Sequence, residues 1–65
     1  MNAVIAPPHV QVGKIKSFGA FGPKYEVGHP VRESDGNWLI QIAMVETGEI
    51  ILYRYAKMLD DPDAR

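Results

Sequence analysis

Side chains able to do chemistry are few and scattered along this 65-residue chain. The histidines are His9 and His29, and the hydroxyls are Ser17, Ser34, Thr47 and the tyrosines Tyr25, Tyr53 and Tyr55. Nucleophilic catalysis needs a hydroxyl or thiol beside a base that a third group orients. His9 stands in a tail that cannot hold it in place, and His29 sits on a strand with no acid partner in the pattern. No nucleophile-elbow, phosphate-loop or paired-carboxylate motif is present, and the chain has no cysteine, so thiolate chemistry and disulfides are absent. Metal ligation is equally unsupported. Two histidines far apart in the chain are no ligand cluster. Asp60, Asp61 and Asp63 lack the glycine and distal glutamate of a calcium loop and read as a solvated acidic end. The expectation is a protein that is not an enzyme, with no metal and no cofactor.

Binding is the remaining class. Tyr53-Arg54-Tyr55 with Lys14, Lys16 and Lys24 is the kind of aromatic and basic set on which single-stranded nucleic acid stacks. The net charge of −1 weighs against a polyanion partner, because phosphate contacts dominate such affinities. The run Phe18-Gly19-Ala20-Phe21-Gly22-Pro23-Lys24 has glycines that could admit a phosphate to the backbone, but it reads first as an aromatic turn anchored on the core.

The elements that must position these residues are strands. A chain of this length holds one domain. Its 46% hydrophobic content favours a packed core over disorder, although so small a domain buries only about 60% of its unfolded surface. Residues 1–9, with Pro7-Pro8, read as a disordered tail, residues 10–62 as one β domain and residues 63–65 as a frayed terminus. Val10 to Lys16 alternates as a half-buried strand, with a phase shift that a bulge at Gly13 would repair. Tyr25 to Val31 follows, with Tyr25, Val27, His29 and Val31 on one face and Pro30 marking an edge or an interruption. Asp35-Gly36 is the strongest hairpin signal, a type I′ pair. It would place Val31 opposite Ile40 and Val27 opposite Met44. Ala56 to Pro62 has room for about one helical turn before the proline.

Asn37 to Ala56 forms the longest hairpin, with a turn at Glu46-Thr47-Gly48-Glu49. A two-residue loop would force Thr47 to positive φ and set Glu46 against Glu49. A three-residue loop with Gly48 in the left-handed region avoids both. That register sends Tyr53 and Tyr55 to the face opposite Trp38; the two-residue register puts them beside it. In either case both faces of the hairpin carry large apolar residues, whereas a sheet with one wet face alternates. The second face therefore needs a cover: the Phe18 and Phe21 loop, barrel curvature or another chain. Leu39, Ile51, Tyr53 and Tyr55, flanked by Lys14 and Lys16, are the candidate binding-surface residues.

Several strings together resemble a family of short bacterial proteins of unknown function: Gly13 to Val27, Asp35-Gly36-Asn37-Trp38, Glu46-Thr47-Gly48-Glu49, Tyr53-Arg54-Tyr55 and Leu59-Asp60-Asp61-Pro62. The resemblance implies a bacterial cytosolic setting and supplies no activity or cofactor. The short apolar start, Met1 to Ala6, is no signal h-region, and no apolar run approaches a membrane span, so a cytoplasmic protein is expected. The fold expected is an antiparallel meander of about four strands, curled into a small SH3-like barrel, with a short C-terminal helical turn. The function expected is a non-enzymatic interaction module whose partner is another protein or a second copy. A single-strand nucleic-acid binder and a two-gene system such as toxin–antitoxin stand as alternatives.

Overall fold

In the computed structural model, which describes residues 6–64, the elements are β1 (Ile15–Ser17), β2 (Lys24–Ser34), β3 (Asn37–Met44), β4 (Ile50–Arg54) and α1 (Tyr55–Met58). The strands pair antiparallel in the order β1-β2-β3-β4 and curl into a half-barrel, followed by the short helical turn, which packs on β3 and β4. Tyr25, Val27, Ile40, Ile42 and Met58 form the buried core, with Phe18, Trp38, Ile51, Tyr53 and Tyr55 packed around it.

The turn chemistry behaves as its residues require. Asp35 and Gly36 both take positive φ, 53° and 80°, and join Ser34 directly to Asn37. Gly13, at φ 93°, is a bulge: its N–H donates to the Val27 carbonyl while the Val27 N–H donates to the Lys14 carbonyl, so two residues oppose one. The regular part of β1 begins only after it and is shorter than the alternation of residues 10–16 suggests.

β2 departs from the expected register. Tyr25 and Val27 are buried, but His29 and Val31 are exposed rather than sharing their face. Ladder partners shift between Val27 and Pro30 and again between Pro30 and Arg32. Val27 therefore faces Ile42, and Pro30 takes the place opposite Ile40 that Val31 was expected to fill. Pro30 has no N–H to donate, which makes it a natural site of interruption. Gly28 permits the local close approach: a Cβ there would lie 2.5 Å from the Gln41 carbonyl oxygen.

The β3–β4 turn differs from expectation by one residue, with large consequences. Gly48 is left-handed, φ 74°, as the turn argument requires. However, the Met44 N–H donates to Glu49 and the Gly48 N–H donates to Met44, so the loop runs over residues 45–48. Ile42 then faces Ile51 and Ile40 faces Tyr53. Tyr53 lies on the Trp38 face, not opposite it. Turn chemistry could not decide this, because both loops leave Gly48 left-handed; burial of Ile51 and Tyr53 against the core does.

Two further expectations are corrected. Phe18 packs on the core, but Phe21 is fully exposed and anchors nothing. Asp63 and Ala64, expected at a frayed end, are hydrogen-bonded alongside β1: the Ala64 N–H donates to the Ile15 carbonyl and the Ser17 N–H donates to the Pro62 carbonyl, with an isolated bridge between Lys16 and Asp63. The proposed tail at 1–9 falls partly outside the described residues.

Gly28→Ala should destabilise the domain by about 1–3 kcal/mol, the usual cost of forcing atoms into a filled space. Urea denaturation measures it, and an unchanged midpoint would contradict this account of the β2 irregularity.

Candidate interaction surface

Tyr53 belongs to an aromatic cluster on the inner face of the half-barrel. Its ring meets Phe18 edge-on at 5.1 Å and Tyr25 at 5.7 Å, and Phe18 lies 4.7 Å from Tyr25. Buried hydroxyls need partners. Asp61 provides one for both: Tyr25 donates to its Oδ2 at 2.6 Å and Tyr53 donates to the same oxygen at 2.9 Å. Burial, then the hydrogen bond to Asp61 and its charge, raises both phenols above their ordinary value, Tyr53 to about 12. The pair is structural: it ties the segment after α1 across the mouth of the half-barrel. No signal marks it in the sequence, where Asp61 is one of three carboxylates near the end.

Lys14, Lys16 and Tyr55 come together elsewhere, around an open groove of about 250 Å³ that His9, Met58 and Asp63 also line. Both lysines are turned onto Asp63, at 3.1 Å from Lys14 and 3.5 Å from Lys16. The hydrogen bond from Lys14 holds that carboxyl below the usual carboxylate range. An anion entering the groove would meet this carboxylate. Among the described residues, no group of three or more His, Asp or Glu side chains could hold a metal ion, and no helix is long and apolar enough to cross a membrane. The indole N–H of Trp38 is buried without a hydrogen-bond partner among the described residues, and the structure offers no account of it.

Of the remaining candidates, Ile51 is half-buried against the core and Leu39 is half-buried on the outer face. The six candidates thus divide among three places and do not make one surface. The surface that does emerge is the outer side of β3 and β4. There Leu39 pairs with Arg54, Gln41 with Leu52 and Ala43 with Ile50. Ile50 and Leu52 are 56% and 43% exposed. Sequence reasoning missed Ile50 and Leu52 because the one-residue register error placed them inside. The signal that could have found them is the unbroken apolar run Ile50-Ile51-Leu52, which puts a large side chain on each face whatever the register.

A family model matches residues 3–65. The chain belongs to the family of unknown function DUF5397. A relative in Haemophilus influenzae, bearing the name "Uncharacterized protein", is 39% identical over 56 residues, covering 85% of this chain and 89% of its own. That relative is bacterial and of similar length, in keeping with the bacterial origin that the resemblance implied.

Removing the Tyr25 hydroxyl with Tyr25→Phe should cost about 1.5–3 kcal/mol, the range for hydrogen bonds to charged groups. Because the fold raises both phenols, their contribution is fully present below the unfolded tyrosine pKa, about 10. It should fall as pH rises from there through about 12. Denaturation midpoints across this range check it; a flat profile in the native protein would show that the hydroxyls are not held neutral by the fold.

Proposed function

We propose that this chain is a non-enzymatic, cytoplasmic protein-interaction module whose binding surface is the outer side of the β3–β4 hairpin. One observation carries the reading. The hairpin presents exposed Ile50 and Leu52 beside Leu39 and Ala43, and no described segment covers them. Solvent-facing strands ordinarily alternate toward polar residues, and clustered exposed apolar side chains mark contact sites in soluble domains. The cysteine-free composition fits a reducing compartment.

The partner is another protein or a second copy of the chain. Nucleic acid is disfavoured, because Lys14 and Lys16, which line a groove with Tyr55, are already paired with Asp63.

A photo-crosslinking residue at Gln41, an exposed position paired with Leu52 on this face, should give discrete protein adducts in the cells of origin. The same residue at Ala20, exposed on the loop between β1 and β2, should give none. No adduct from position 41, or tight salt-sensitive binding of single-stranded DNA or RNA in titration, would overturn the reading.

A further inference from the structure

The two edges of the sheet are treated differently. The outer edge of β1 is paired with residues 62–64. The outer edge of β4 has no partner among the described residues. Its geometry follows from the ladder: the Met44 N–H bonds to Glu49 on one side, and the Val45 N–H bonds to Lys24 on the other. Alternation then turns the N–H and C=O of Ile51 and Tyr53 toward β3, and those of Ile50, Leu52 and Arg54 outward. The chain does not continue along this edge, because α1 packs back against β3 and β4.

Exposed edges are normally blunted by lysine, proline, a bulge or an inward charge. In β4 the single charge is Arg54 at its last position; Ile50-Ile51-Leu52-Tyr53 before it has none of these. It is an apolar segment of high β propensity that would template aggregation if left open.

The geometry points to antiparallel pairing of β4 with β4 of a second copy, across a two-fold axis at Leu52. This inference rests on the interaction-module reading and names the partner. With Leu52 opposite Leu52, Ile50 faces Arg54 of the other copy, and every outward N–H and C=O of the strand finds a partner. Shifting by one residue would set outward groups against inward ones, and shifting by two would leave an end unpaired. Closed two-fold contacts of this kind are self-complementary.

Charge supports the same alignment. The hairpin tip carries Glu46 and Glu49, and the other end of the strand leads to Arg54 and Lys57; all four are exposed, and none makes an ion pair with a described residue. Antiparallel pairing lays the acidic tip of each copy beside the basic end of the other. Parallel pairing would set acid against acid. The pairing also joins Ile50 and Leu52 of the two copies into one outer surface.

Sedimentation from micromolar to millimolar concentration, with hydrogen exchange by NMR, tests the proposal. The native chain should dimerise, with slow exchange at the Ile50, Leu52 and Arg54 amides. Leu52→Pro removes an outward N–H and none that bonds to β3, and should weaken dimerisation at least about tenfold while keeping the fold. Leu52→Lys places like charges opposite each other and should act the same way without any backbone change. A native chain that stays monomeric with fast exchange at these amides overturns self-pairing, while crosslinks from position 41 to other proteins would leave the broader reading standing. A monomer with slow exchange there overturns it too, because the edge amides would then be protected without a second copy. Dimers that survive both substitutions place the contact elsewhere and also overturn it.

Discussion

The pairing of Met44 with Glu49 sets the parity of everything after it. Side chains on a strand alternate with a period of two, so one residue more or less in the preceding loop exchanges the faces of the whole strand. With residues 45–48 in the loop, Ile51 and Tyr53 enter the core and Ile50, Leu52 and Arg54 face outward. The same parity fixes which backbone groups are spent on β3 and which are left at the edge.

The C-terminal segment depends on that choice. Tyr53, turned inward, brings its hydroxyl beside that of Tyr25, and two buried phenols on one face need an acceptor. Asp61 is that acceptor, and it holds the chain as it crosses from β4 to β1. Once across, residues 62–64 satisfy the outer edge of β1, and Asp63 engages Lys14 and Lys16. One side of the half-barrel is thus finished by the chain itself. The other, β4, has no further strand beside it among the described residues and is the surface from which a function is inferred.

How much of this was legible in the sequence follows from the range of each interaction. Local backbone demands could be read: positive φ at Asp35, Gly36 and Gly48, the bulge at Gly13, and the single helical turn before Pro62. The meander follows from those turns and the alternation between them. Longer-range choices could not be read. The β2 irregularity that exposes His29 and Val31 arises where Gly28 and Pro30 meet Gln41 and Ile40 across the sheet. The pairing of residues 62–64 with β1 joins distant parts of the chain. The candidate surface suffered most, because Ile50 and Leu52 were misplaced by a single register step. Phe21, Tyr53 and Asp61 were misjudged because residue type does not reveal whether an aromatic is buried or a carboxylate has a partner.

The register of the β3–β4 hairpin is the central claim, and NMR contacts between backbone α-protons test it most directly. Non-hydrogen-bonded pairs in an antiparallel ladder bring their α-carbons to about 4.5 Å. The structure predicts strong α-proton contacts between Gln41 and Leu52 and between Ala43 and Ile50. Contacts offset by one residue, such as Ile42 with Leu52, would return Tyr53 to the outer face and contradict the account.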